Sequence, residues 1–265
     1  MVYTTPQSFL LGATAILGIV AAAPPTPVSQ PKCGAQAVSV RKLPSITIPH
    51  LNYDLAYPSG LPPAFDGGIT SEKWQSFPTG FYFQPWYMVY ASNPANLALR
   101  NFQYDPTPVD SSNPTGLVND LGSFQVPNNA TVYTTYGVDT PNNTYPAVFH
   151  YEGTGILEGA TSEYSVLAWG CDAAELPYYV NHATFTELTQ TPAGIDIMST
   201  RETGVDQATL DMLVRKLKAL GNKEIADMAD GLQRMKNDGG RNGMPRITTC
   251  DDKCKSNQGL LDILG

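Results

Sequence analysis

Between residues 80 and 200 the chain runs through short β-rich segments separated by turn signals, and from residue 203 its apolar residues switch to a helical period. That order of elements constrains the fold more than any other feature of the sequence. The segments are Gly80–Ser92, Leu97–Tyr104, Gly122–Val126, Ala130–Tyr136, Ala147–Tyr151, Tyr164–Trp169, Tyr178–Leu188 and Ile195–Ser199. Asn-Pro and Pro-Asn-Asn clusters divide them, because proline withdraws a ladder donor and asparagine favours turns. Eight antiparallel strands can close into a barrel wide enough for one small ligand. Beyond them Asp206 is placed to cap a helix with Leu210, Leu213, Leu217 and Leu220 on one face, ended by Gly221. A second helix is expected to carry Ile225, Met228, Leu232 and Met235 and to end near Gly239-Gly240, with a flexible tail up to Cys250. Both stripes have the width of helix faces that pack on a core. The expected fold is mainly β: an eight-stranded antiparallel barrel over 80–202, then two helices and a Cys-containing tail over 203–265.

The N-terminal part reads differently. Phe9 to Val20 is an uncharged apolar run followed by Ala21-Ala22-Ala23 and Pro24-Pro25. A short apolar core ending in small residues is the pattern of a signal peptide, here over 1–23. The run falls short of the ~20 apolar residues that span a bilayer, so no membrane span is expected. Residues 24–79 hold ten prolines and read as an arm that wraps the barrel, with only Ser39 to Ile48 able to add a strand. Export agrees with two N-glycosylation sequons, at Asn129 and Asn142. It also agrees with four spread cysteines, Cys33, Cys171, Cys250 and Cys254, an even number that permits two disulfides. The preferred pairing joins Cys33 and Cys171 to Cys250 and Cys254; the alternative joins Cys250 to Cys254 if that stretch is a loop. The expected location is extracellular. A net charge of −8 argues against nucleic acid as a partner. The histidines are scattered, no CxxC pair exists, and neither a phosphate loop nor a nucleophile elbow is present, so no metal and no cofactor are expected.

Several stretches, in order, resemble violaxanthin de-epoxidase-type lipocalins, members of the calycin group. Gln84-Pro85-Trp86-Tyr87-Met88-Val89-Tyr90-Ala91-Ser92-Asn93-Pro94 looks like that family's first barrel strand running into an Asn-Pro turn, although Gln84 stands where the family has glycine. Glu163-Tyr164-Ser165-Val166-Leu167-Ala168-Trp169 is similar to its late strand, and Ile195 to Arg201 to its last strand. Leu217 to Gly221 and Thr248-Thr249-Cys250 also fit, so the likeness covers roughly residues 80 to 255. The resemblance implies that Trp86 plugs the closed end and that Arg201 lies across its face, a structural pairing. It also implies an inward aspartate on the second strand as general acid. An ungapped count from Asn93-Pro94 puts Arg100 there, with Asn101 replacing the neighbouring cysteine. Arginine does not give up a proton at working pH, so ascorbate-driven violaxanthin de-epoxidation is not expected.

Strand alternation phased from Trp86 turns Tyr82, Gln84, Met88 and Tyr90 inward, and the family phase does the same for Ala98, Arg100, Phe102 and Tyr104. The resulting ligand cup consists of Tyr82, Met88, Tyr90, Arg100, Phe102 and Tyr104. A buried guanidinium needs a partner, either a structural carboxylate or the acidic end of a ligand. His182 alternates with Val180 and Thr184; with Tyr90 and Arg100 it completes the candidate catalytic residues. Asp172 and Glu175 read as a solvated rim loop. Three functions fit such a chain: binding of an apolar or amphiphilic small molecule; an isomerase, cyclase or ring-opening enzyme of secondary metabolism; or a structural surface protein whose barrel is filled by its own side chains.

Overall fold

The computed structural model describes residues 80–143 and 147–264, together with three two-residue strand pieces at Ser39–Val40, Ile46–Thr47 and Asp54–Leu55. The expected leader, most of the arm and Cys33 lie outside the described residues.

Eight strands form the barrel: β1 Trp86–Ala91, β2 Arg100–Tyr104, β3 Val118–Gln125, β4 Tyr133–Pro141, β5 Val148–Gly153, β6 Thr161–Cys171, β7 Pro177–Ala183 and β8 Gly194–Ser199. Each pairs antiparallel with the next, and β8 returns to pair with β1, so the sheet closes on itself. This is an up-and-down, lipocalin-like barrel with no free edge among its own strands. Ser39–Val40 adds a further rung on Trp169 and Ala168.

Of the three register slips in the barrel, two change which of the residues phased from the sequence face inward. Opposite β8 the register slips between Met88 and Tyr90, so Val89 and Tyr90 both belong to the outer cluster. Opposite β3 the register slips between Arg100 and Gln103, and Asn101 has a left-handed φ of 53°. A bulge adds a residue to one strand and breaks the strict alternation on which sequence phasing depends.

Helical segments complete the packing, beginning with the turn α1 Pro94–Leu97, which Asn93 caps through a bond from the Ala95 amide. Helix α2, Gln207–Lys218, is capped by Asp206 through the Thr209 amide; hydrogen bonds from the Ala173 and Thr209 amides and the Thr209 hydroxyl lead the interactions that hold the Asp206 carboxyl down at about 2. Helix α3, Lys223–Asp230, is capped by Asn222. Leu213, Leu217, Ile225 and Ala229 pack on Val89, Tyr178, Val180, Ile195 and Ile197, the outer faces of β1, β7 and β8.

The second helix is shorter than expected. It ends on Gly231, and Gln233–Arg234 forms a strand, β9, against Ala91 and Tyr90. Met235 then donates its amide to Val89, and Lys236 accepts the Asn101 amide. The chain thus wedges between β1 and β2, which pair with each other only at Trp86–Tyr104 and Tyr87–Gln103. The tail is strapped down well before Cys250. Asp238 binds Arg100, Arg241 donates to Ser123, and Arg246 pairs with Asp105 at 2.6 Å. Cys250 and Cys254 bond each other across the start of α4, Asp252–Lys255, which overturns the preferred pairing even though this stretch is a helical turn. Cys171 is also disulfide-bonded. A last short helix, α5 Leu261–Leu264, lies at the barrel mouth beside Leu260.

Candidate functional site

The inner wall is built from alternate residues: Met88 on β1, Phe102 and Tyr104 on β2, Asp120, Gly122 and Phe124 on β3, Thr135 on β4, Tyr151 on β5, Tyr164 on β6, Asn181 and Ala183 on β7, and Asp196 and Met198 on β8. At one end the barrel is closed. Phe81, Tyr82, Trp86, Trp169 and Tyr179 pack ring against ring, with Trp86 and Tyr179 edge to face at 4.7 Å. Trp86 is fully buried and donates its indole N–H to the Tyr82 carbonyl.

The other end is open. A cavity of about 420 Å³ begins between the loops after β1, β5 and β7 and the C-terminal turn. An inner chamber of about 160 Å³ lies deeper and shares Asn96, Phe102, Asp120, Thr135, Tyr164 and Asp196 with it. Leu99, Phe124, Leu157, Ala160, Leu260 and Ile263 make the wider part apolar. Phe185 and Leu188 stand exposed on the β7–β8 loop nearby. The size falls within the roughly 300–1,000 Å³ of small-molecule sites.

The chamber is acidic. Asp120 accepts a bond from the Tyr104 hydroxyl at 3.1 Å, and Tyr104 also lies 2.8 Å from the Tyr82 hydroxyl. Because Tyr104 has one proton and gives it to Asp120, Tyr82 must donate to Tyr104. Burial pushes the Asp120 carboxyl up to about 6. Behind it Asp139 is fully buried beside Asp120, and burial, the Asp120 charge and a carboxyl–carboxylate hydrogen bond to Asp120 raise it well above the usual carboxylate range. Burial and the neighbouring Asp120 carboxylate thus favour the protonated form of Asp139. Asp196 on β8 accepts from Asn96 Nδ2 at 3.1 Å and Asn181 Nδ2 at 3.3 Å, and burial holds it at about 6 as well. Burial also raises the hydroxyls of Tyr82, Tyr104, Tyr164 and Tyr179, so they remain neutral donors.

Of the six residues expected in the cup, Met88, Phe102 and Tyr104 line it. Tyr82 sits one hydroxyl behind Tyr104 and stacks on Phe149. Tyr90 is carried to the outer cluster by the β1 slip. Arg100 does not enter the chamber. At the β2 bulge its guanidinium binds Asp238 at 2.8 Å and the carbonyls of Val126 and Asn129, so its partner is a structural carboxylate. His182 points away from the cavity; it alternates with Asn181 and Ala183, is buried, and is held at about 4 by desolvation, hence neutral. Arg201 does not lie across Trp86. It bonds Asp172 at 2.7 Å and the Gly204 carbonyl, and the guanidinium over a ring among the described residues is that of Arg246, 4.8 Å from Tyr87. Asp172 is buried in that pairing, not solvated. Asn129 is half-buried, with its Nδ2 donating to Tyr133; Asn142 is exposed.

Sequence phasing missed Asp120, Asp139 and Asp196. A signal was present: Asp120 shares its parity with Val118 and Phe124, and Asp139 shares its parity with Tyr133. An acid on the aromatic face of a strand marks a buried polar site.

No family model matches the chain. A protein of Botryotinia fuckeliana (strain B05.10), botcinic acid biosynthesis cluster B protein 12, is 26% identical over 194 residues, covering 72% of this chain and 87% of that one. Among solved structures, lobster apocrustacyanin A1 is similar at 9% identity with a TM-score of 0.42, over 60% of this chain and 79% of that one. The siderocalin Ex-FABP is similar at 13% identity with a TM-score of 0.41, over 59% and 91%.

Proposed function

We propose that the barrel binds an amphiphilic small molecule, with its apolar body in the wide mouth and its polar end in the acidic chamber. The observation that carries this reading is the hollow itself: the interior is not packed by its own side chains, and apolar walls lead down to a few convergent polar groups. That arrangement also weighs against a purely structural barrel. Secretion belongs to the same proposal, supported by the leader-like residues 9–23 and by disulfide bonding of the three described cysteines, Cys171, Cys250 and Cys254, since disulfides persist in oxidising compartments. Kinship with violaxanthin de-epoxidase-type lipocalins is likewise proposed on the order of the motifs, without that family's acid on β2.

The neutral apolar dye Nile red tests the reading. Saturable one-to-one fluorescence binding is expected, and Ala183→Trp, which places an indole in the mouth, is expected to weaken it at least about tenfold, a loss of about 1.4 kcal/mol. Absence of saturable binding by the wild type, of the dye and of amphiphilic ligands alike, overturns the proposal.

A second reading has an observation in its favour. Asp120 and Asp196 border the cavity and titrate near 6, where a carboxyl can act as either acid or base around neutral pH. The biosynthetic-cluster name of the fungal relative agrees with such a role. Conversion of a bound ligand by the wild type, and its loss in Asp196→Asn with binding retained, is the result that separates enzyme from carrier.

A further inference from the structure

We propose that the chamber bounded by Asp120, Asn181 and Asp196 receives the ammonium group of an amphiphilic amine. The inference rests on the binding reading above and names its ligand class.

The chamber has acceptors to spare and no cation. Among its lining residues are two aspartates and no Lys, Arg or His. Most donors that reach it are engaged: Tyr104 gives its proton to Asp120, Tyr164 gives its proton to Tyr179, and Asn96 and Asn181 each give an N–H to Asp196. Asn181 adds the most specific signal. It is 1% exposed, and its Oδ1 has no hydrogen-bond partner. Its orientation is set by chemistry, since turning the amide over would aim Oδ1 at the Asp196 carboxylate. A buried carbonyl without a donor costs about 1–3 kcal/mol, so this atom favours a ligand that donates.

A ligand carboxylate has no donor to offer and would add a third negative charge. A hydroxyl has one proton and leaves both carboxylates uncompensated. An ammonium has three protons, no acceptor, and the missing charge. Phe102, Tyr104 and Tyr164 add aromatic faces on the same wall, which attract a desolvated cation. The guanidinium groups of Arg100, Arg201 and Arg246 cannot supply the charge, because each is bound to its own carboxylate elsewhere.

Calorimetry with phenylbutylamine, phenylbutanol and phenylbutanoic acid, with Nile red displacement alongside, tests the assignment. The amine is expected to bind at least about tenfold tighter than the alcohol near neutral pH, and the acid weakest. Asp196→Asn is expected to remove most of that preference, weakening the amine at least about tenfold more than the alcohol. Asn181→Leu serves as a second variant: it deletes the unpaired carbonyl and is expected to weaken the amine more than the alcohol. Lowering the pH from about 7.5 to 5 should weaken the amine, since Asp120 and Asp196 then take up protons. The other ionisable groups facing them are Asp139, whose carboxyl burial and Asp120 hold well above the usual range, and the hydroxyls of Tyr82, Tyr104, Tyr136, Tyr151, Tyr164 and Tyr179, which stay neutral throughout that range. Alcohol or acid binding as tightly as the amine overturns the assignment and leaves the binding reading intact. Saturable Nile red binding that the amine cannot displace does the same. Failure of Nile red and all three probes overturns both.

Discussion

On the outer face of β7 and β8, Tyr178, Val180, Ile195 and Ile197 are completely buried against α2 and α3. On the inner face of the same two strands, Asn181 and Asp196 border a hollow. One pleated wall thus carries two interiors, since successive residues of a strand point to opposite faces. The outer layer is dry and held by area; its residues are interchangeable with others of like size. The inner layer retains three carboxyl groups away from cations, an arrangement that stability alone does not favour. The comparison teaches where to look for function: in the layer that is costly to bury.

Truncating the dry layer is expected to have the largest effect. Leu213 is fully buried on α2, and Leu213→Ala should cost about 2–5 kcal/mol in urea unfolding by transfer and cavity terms together. Nile red affinity of the folded variant should not change. A change in affinity larger than the change in stability would show that the two layers are not separate.

The wet layer is expected to respond in the opposite direction. Asp120 and Asp196 hold protons more tightly in the folded chain than in the unfolded one, where a carboxyl titrates near 4. The folded state therefore binds more protons between about pH 4 and 6, and stability falls as the pH rises through that window. Each group contributes on the order of 3 kcal/mol to that fall. Asp196→Asn carries no charge to bury, so it should be more stable than the wild type at pH 7 and should flatten the slope between about 4 and 6. Equal slopes in the two proteins would place Asp196 in contact with water.

These two layers were not equally legible in the sequence. The stripe Leu210, Leu213, Leu217 and Leu220 follows from period alone, and α2 with its Asp206 cap lies where that period puts it. The strand segments were visible because prolines and asparagines bound them. Side-chain parity was not. It held for Trp86, Met88, Phe102 and Tyr104 and failed at Tyr90 and Arg100, each beside a register slip. A bulge depends on what lies opposite in space; here the tail enters between β1 and β2, more than a hundred residues away along the chain. The second helix failed for a related reason. Met235 continued a helical period, but Gly231 and the open backbone of β1 drew the chain into a strand.

Arg100→Met tests the corrected place of that residue and is expected to have the smallest effect. Losing the bonds to Asp238 should cost roughly 1.5–3 kcal/mol of stability, the range for a hydrogen bond to a charged group. Affinities for Nile red and for phenylbutylamine should be unaltered in calorimetry of the folded variant. A selective loss of binding would return Arg100 to the cup.

The most direct measurement on the inner layer is a crystal structure of the protein with Nile red bound. The expected result is dye inside the barrel, between Phe102, Phe124 and Tyr164, with α2 and α3 unmoved. Dye seated only on the exposed Phe185 and Leu188, over an interior closed by its own side chains, would contradict it.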